Sequence, residues 1–273
     1  PLEFRRKNLI HGYYEDAYLK PIAANTNGIF ECLEKGAEYI HWDEKRKAYQ
    51  NQTGDIRRGV GMALFSYKTG VWPISLEIAG ARLSLNQDGS VQLQVGATEI
   101  GQGADTVFSQ MAAETLHMDI SRVHIVTQQD TDVTPFDTGA YASRQSFVTG
   151  TAVKECAQQL KQKILEYART LVPGNVDRLE LEDGYILADG KPAISLEDLA
   201  MESYYSLSNS SVLTAEVSRQ VKKNTVASGC CFAEVEVDMK LGKIKVLDIV
   251  NVHDSGTLLN PQLAAMQVHG GMF

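Results

Sequence analysis

Apolar and polar positions along the chain alternate between helical and strand periods. Ile29, Leu33, Ala37 and Ile40 recur at helical spacing after a turn at Asn25-Thr-Asn-Gly28. From Arg57 the pattern turns to strands. Gly59-Val-Gly-Met-Ala-Leu-Phe65 is one and Ile74 to Leu85 another, and Asp88-Gly89 folds the second back onto Val91–Val95. A helix is predicted from about Asp105 to Leu116, with Val107, Met111 and Leu116 near one face, followed by a short strand Val123-His-Ile-Val126. Val153, Cys156, Leu160, Ile164, Tyr167 and Leu171 then step by three and four, the stripe of a second helix that Pro173-Gly174 ends. Asp183-Gly184 and Asp189-Gly190 predict a small hairpin. Residues 200–228 are polar with little periodicity and predict a long loop or an excursion over a neighbouring surface. Ala233, Val235, Val237 and Met239 alternate with Glu234, Glu236 and Asp238, which predicts a half-buried strand with its apolar side inward, and Leu241-Gly242 turns it into Ile244–Val250.

This element order predicts an α+β fold, mixed sheets with helices packed on one face. It divides the chain into a helical connecting segment (1–55), an α+β subdomain (56–228) and a β return segment of a neighbouring subdomain (229–273). At 273 residues, 44% hydrophobic and 22% charged, the composition is that of a globular protein with a sizeable core. A net charge of −8, without a basic cluster, argues against a nucleic-acid partner. No apolar run approaches the roughly 20 residues of a membrane span. The opening Pro1-Leu-Glu-Phe-Arg-Arg-Lys7 does not read as a signal peptide. Cys32, Cys156, Cys230 and Cys231 have no Cys-x-x-Cys or Cys/His ligand spacing, so neither zinc nor an iron–sulfur cluster is expected within the chain, and a reduced cytoplasmic setting is. Both ends read as cut, and the chain is expected to be a middle segment of a longer polypeptide.

Chemistry concentrates in two glycine-rich stretches that each precede a helix. In Gly96-Ala-Thr-Glu-Ile-Gly-Gln-Gly103, glycines flank a glutamine where a strand gives way to a helix, a place where backbone can approach a ligand beside the helix's positive end. The competing reading is a tight turn with a surface glutamine. The stretch lacks the Gly-Lys-Ser/Thr ending of a P-loop and the third glycine of a dinucleotide fingerprint. In Thr138-Gly-Ala-Tyr-Ala-Ser-Arg-Gln145, a hydroxyl, a guanidinium and an amide follow small residues, and arginine suits bidentate phosphate contacts. Here the alternative is a helix cap by Ser143 or Ser146 with Arg144 in solvent. His253-Asp254-Ser255 contains the residue types of a hydrolytic relay, but neighbours on a strand point to opposite faces. Asp130, Asp132 and Asp137 lack the glycine and final glutamate of a calcium loop and read as solvated acids. His11, His41, His117, His124 and His269 show no metal-ligand spacing.

Read together, four local patterns resemble the molybdopterin-binding large subunit of the xanthine dehydrogenase family, bacterial type. They are Pro1-Leu-Glu-Phe-Arg-Arg-Lys-Asn8; Gly96 to Gly103; Gly139-Ala-Tyr-Ala-Ser-Arg-Gln145 followed by Gly150-Thr-Ala-Val153; and Asp254-Ser-Gly256, Asn260-Pro261 and Gln267-Val-His-Gly-Gly271. The resemblance implies that Gly101, Gln102 and Gly103 meet the pterin or its phosphate, that Ala142, Ser143, Arg144 and Gln145 supply backbone and side-chain donors, and that Gln267 closes the site. It places Ala140 and Tyr141 beside the substrate, where Tyr141 stands at a position that is small in several relatives. It implies hydroxylation of xanthine or hypoxanthine with oxygen from water, with an aldehyde or another N-heterocycle as the alternative substrate. Molybdenum is held by the pterin rather than by protein, and iron–sulfur clusters and FAD lie on partner domains or subunits. The family's catalytic glutamate would lie beyond Phe273, so no catalytic residue is expected in this chain. Taken alone, the segment is expected to be inactive, and a pure folding and interaction module is the competing class.

Overall fold

A computed structural model describes residues 1–10, 12–15, 21–23 and 28–272. The turn expected at Asn25-Thr-Asn27 lies outside the described residues. In chain order the first elements are α1 (Leu2–Asn8), β1 (Tyr13–Glu15), β2 (Pro21–Ala23), α2 (Gly28–Tyr39), α3 (Trp42–Ala48), β3 (Ile56–Lys68), β4 (Ile78–Leu85), β5 (Val91–Val95), α4 (Ala104–Leu116), β6 (Val123–Ile125) and α5 (Gln145–Leu171). There follow β7 (Leu179–Glu182), β8 (Tyr185–Ala188), β9 (Lys191–Ser195), α6 (Leu196–Tyr205), β10 (Thr214–Gln220), β11 (Val226–Asp238), β12 (Lys243–Asp254) and α7 (Pro261–Met272). None of the helices among the described residues is long and apolar enough to cross a membrane.

The chain divides into two compact units, Pro1–Thr69 with Asn224–Phe273, and Gly70–Lys223. This is not the division expected at residues 55 and 228. The cause is strand pairing: β3 runs antiparallel to β11 along its whole length, from Ile56 opposite Asp238 to Lys68 opposite Val226. Such long-range pairing leaves no mark on local composition.

In the first unit the sheet order is β12-β11-β3. Leu33 and Ile40, fully buried, pack with Trp42, Cys230 and Phe232, and Trp42 meets Phe232 edge-on at 5.7 Å. Gly36 permits the close approach of α2, since a Cβ there would lie 2.3 Å from the Phe232 ring. The inward face of β11 is the reverse of the expected one. Cys230, Phe232 and Glu234 are buried, whereas Ala233, Val235 and Val237 are half-buried and Met239 is exposed. Glu234 can go inward because it is paired there, with Lys45 Nζ at 2.6 Å and the Tyr49 hydroxyl at 2.5 Å.

In the second unit the order β10-β4-β5-β6 contains a parallel pair, β5 and β6, among antiparallel neighbours. Leu83, Leu85, Leu93 and Val95 of this mixed sheet share one core with Phe108 and Leu116 of α4 and with Val153, Cys156, Leu160 and Ile164 of α5. The architecture is α+β, with helices packed on one face. The helical stripe of α5 is fully buried through Ile164, and Leu171 closes it half-buried. Strand β4 begins at Ile78, after a turn in which Ile74 N–H bonds Val71 O, rather than at Ile74. The predicted hairpin is a three-stranded meander β7-β8-β9, and Asp183-Gly184 and Asp189-Gly190 all have positive φ.

Residues 200–228 are not a loop. Helix α6 is capped by Ser195, whose Oγ accepts from Asp198 N–H at 3.0 Å, and β10 pairs with β4 from Thr214 opposite Ser84 to Gln220 opposite Ile78. Only Ala215 and Val217 of β10 are buried, too few inward residues to leave a periodic signal in the sequence.

Candidate functional site

Both glycine-rich stretches lie in the second unit, each at the start of a helix. In the first, Gly101 and Gly103 have φ of 98° and 87°, the left-handed region that glycine enters without strain. The loop thereby wraps around the carboxylate of Glu99. Glu99 Oε1 accepts from Gly101 N–H at 2.7 Å and Gly103 N–H at 3.0 Å, and Oε2 accepts from Asp105 N–H at 3.0 Å. Burial alone would raise the Glu99 pKa; the amide bonds from Gly103, Asp105, Gly101 and Ala104 outweigh it and hold the carboxyl below its usual range. In Asp105, burial first and the charge of Glu99 second push the pKa up. Asp105 Oδ1 is buried without a hydrogen-bond partner among the described residues.

Gln102 ties the loops together. Its Oε1 accepts from Ile100 N–H at 2.7 Å, and its Nε2 donates to Thr98 O at 3.0 Å and to Gln145 Oε1 at 2.5 Å. Gln145 Nε2 donates to Thr98 O at 3.2 Å. Thus the structure brings Gln102 together with Gln145.

The second loop carries two consecutive left-handed residues that are not glycine, Ala142 (φ 50°) and Ser143 (φ 51°), before Arg144 returns to the right-handed region at φ −84°. A left-to-right reversal of this kind turns successive N–H groups toward one concave side. Arg144 N–H donates to Tyr141 O at 3.2 Å, and Phe147 and Val148 N–H both reach Arg144 O. The N–H groups of Ser143, Gln145 and Ser146 have no partner among the described residues, and Ser143 and Ser146 are exposed. They stand at the positive end of a 27-residue helix with no acidic residue in its first turn.

The guanidinium of Arg144 does not face this concavity. It is fully buried, donating from Nε to Glu77 Oε2 at 2.5 Å, from Nη1 to Asp137 Oδ1 at 2.5 Å and Gly139 O at 2.9 Å, and from Nη2 to Ile78 O at 2.8 Å. Burial opposes the charge, but the Glu77 hydrogen bond and the Asp137 charge outweigh it, so the Arg144 pKa is raised. This corrects the expected role of its side chain: Arg144 clasps the loop to the start of β4 and has no fork left for a phosphate. Asp137 is likewise no solvated acid, since it also accepts from Thr149 Oγ1 at 2.7 Å and from Gly139 N–H at 2.8 Å. Ala140 and Tyr141 are exposed, and the Tyr141 ring lies over the Arg144 guanidinium at 5.5 Å.

Gln267 stands exposed on α7 of the first unit. That helix begins with Pro261, and Asn260 Oδ1 accepts from Leu263 N–H at 3.0 Å. His253 packs against Phe65 at 5.2 Å rather than against a nucleophile. Sequence reasoning missed Glu99, Glu77 and Thr149. Glu99 had a signal, an acid just ahead of a glycine-rich helix start; Glu77 had none, because its partner Arg144 lies 67 residues away along the chain, and Thr149 had none, because its partner is the Asp137 carboxylate, 12 residues before it.

The family profile described as "Molybdopterin cofactor-binding domain" matches residues 35–273. The xanthine dehydrogenase molybdenum-binding subunit of Escherichia coli O157:H7 is 50% identical over 248 residues, which is 90% of this chain and 33% of that protein. The chain therefore spans about a third of the length of this relative. Two solved structures share the fold: CO dehydrogenase from Oligotropha carboxidovorans (TM-score 0.81, 22% identity, 99% of this chain and 36% of that one) and quinoline 2-oxidoreductase from Pseudomonas putida 86 (TM-score 0.80, 22% identity, 99% and 36%).

Proposed function

The chain belongs to the molybdopterin cofactor-binding domain family, and from that membership we propose that it is the cofactor-holding part of a xanthine dehydrogenase-type molybdenum hydroxylase acting on xanthine or hypoxanthine. One observation carries the reading. Two glycine-rich loops are joined through Gln102 and Gln145, beside three amides at the start of α5 that have no partner among the described residues. Those donors fit an anionic group such as the pterin's phosphate, and the second Nε2 hydrogen of Gln145, with the remaining lone pairs of the two glutamine oxygens, fits the polar edge of a pterin. Asp105 Oδ1, without a partner among the described residues, is a further acceptor that a bound donor would satisfy.

In this proposal the N–H groups of Ser143, Gln145 and Ser146 hold the anionic end. Gln102, Gly103 and Gln145 orient the ring system, and Gly101 and Ala142 allow close backbone approach. Arg144 acts through the loop it clasps. Ala140 and Tyr141 stand beside the substrate and shape its pocket. When bound, the molybdenum cofactor supplies the oxidative hydroxylation of a substrate carbon with oxygen from water; the residues of this chain bind and orient it. Iron–sulfur clusters and FAD on partner domains or subunits carry the electrons away, in a cytoplasmic complex. The 50% identity to a protein named as a xanthine dehydrogenase subunit favours a purine over an aldehyde or another N-heterocycle.

A panel on the complete complex tests the substrate, with xanthine, hypoxanthine, aldehydes and N-heterocycles assayed side by side using an artificial electron acceptor. A preference for the two purines is expected, and a preference for an aldehyde or quinoline-like ring would overturn the substrate assignment.

A further inference from the structure

The two helix starts that frame the site are chemically unequal. At α4, the N–H groups of Gly101, Gly103 and Asp105 converge on one side chain, and both oxygens of Glu99 are engaged. A carboxylate in that position neutralises the helix's positive end from within. At α5, the first turn has no acid, and Ser143, Gln145 and Ser146 leave their N–H groups without partners among the described residues. The spacing explains the difference. Glu99 lies two residues before Gly101 and four before Gly103, and the positive φ of both glycines folds their amides back toward it.

We propose that Glu99 is the positioning residue of the first loop, a resident anion that closes the start of α4 to phosphate and holds Gln102 against Gln145. Gln102 lies between two residues whose amides Glu99 fixes, so its backbone is clamped on both sides. Its side chain is thereby presented to Thr98 and Gln145 instead of swinging into solvent. An anionic cofactor group is thus directed to one helix start only, that of α5. This inference rests on the reading that the paired loops hold the cofactor.

The test uses the complete molybdenum-binding subunit with Glu99→Gln and Glu99→Asp. Three quantities are read: amide hydrogen exchange by mass spectrometry over the peptide 99–106, molybdenum and pterin per subunit, and exchange across α5 and β7–β9. For Glu99→Gln, exchange in 99–106 should become about tenfold faster and cofactor content should fall about fivefold, as expected when charged hydrogen bonds are lost from one loop. Exchange in α5 and β7–β9 should stay unchanged, and Glu99→Asp should recover part of both effects. Wild-type exchange in Glu99→Gln would overturn the proposal, and so would loosening that spreads through α5, which marks a general structural role. A loosened loop with full cofactor content would sink the role of Glu99 and leave the cradle intact. If Gln102→Ala with Gln145→Ala also keeps full content, the cradle reading itself fails.

Discussion

Gln102 Nε2 donates to Gln145 Oε1 at 2.5 Å and so joins two glycine-rich loops whose residues are 43 positions apart in the chain. Neither glutamine is free to turn, because each also donates to the same carbonyl, that of Thr98. Partly buried hydrogen bonds of this kind contribute about 0.5–1.5 kcal/mol each. A double-mutant cycle of Gln102→Ala and Gln145→Ala is expected to show a coupling energy in that range in urea unfolding. Additive single-mutant effects would mean that the loops are held together by something else.

Arg144 is the anchor of the second loop, and its two carboxylate partners are as buried as it is. Arg144→Met would leave Glu77 and Asp137 inside without a counter-charge, which costs about 3–5 kcal/mol. Denaturant unfolding should register that loss, and Arg144→Lys should recover only part of it because an ammonium lacks the planar fork. A loss below about 1 kcal/mol for Arg144→Met, the size of an exposed ion pair, would place the guanidinium in solvent.

Glycine is required at Gly96 for space. A Cβ there would lie 2.1 Å from Pro135 O and 2.7 Å from Asp137 N, both backbone atoms that cannot rotate away. Gly96→Ala should cost about 1–3 kcal/mol or more by displacing the segment that leads into the second loop. Gly59, on β3 of the first unit, has no atom within 4 Å of the same added carbon. Gly59→Ala should stay within about 0.5 kcal/mol of wild type. Equal effects at the two sites would contradict the packing described here.

Acid should destabilise the protein through its paired carboxylates. Hydrogen bonds from Lys45 and then Tyr49 hold the Glu234 carboxyl below its usual range, and the amides of the first loop do the same for Glu99. A carboxyl depressed in the folded state contributes its stability above the unfolded pKa, about 4.3, and loses it as pH falls through the folded value. Stability should therefore hold from neutral pH to about 4.5 and fall below it. Glu234→Gln should flatten that fall, measured as the urea midpoint at successive pH values; an unchanged acid slope would contradict the assignment.

Much of this was legible in the sequence where a local signal existed. The α5 stripe from Val153 to Leu171, the Asp-Gly turns and the glycine-rich helix starts all come from residue order within a few positions. What was not legible depended on distant pairing. The first unit is assembled by β3 and β11, about 170 residues apart, and β10 is an edge strand with two inward residues. The buried face of β11 carries Glu234, which hydropathy alone assigns to solvent and which Lys45 and Tyr49 draw inside. Arg144 shows the same limit at the site. Its residue type suggested a phosphate contact, whereas its position relative to Glu77 and Asp137 makes it an internal clasp.

The most direct test of the cofactor cradle is the molybdenum and pterin content of the complete subunit carrying Gln102→Ala with Gln145→Ala, purified beside wild type. A loss of about tenfold is expected, roughly the 1.4 kcal/mol of the polar bridge facing the ligand. The variant should still fold, with unfolding weakened by no more than the lost hydrogen bonds account for, about 0.5–1.5 kcal/mol each. A folded variant that retains wild-type molybdenum and pterin would contradict the cradle.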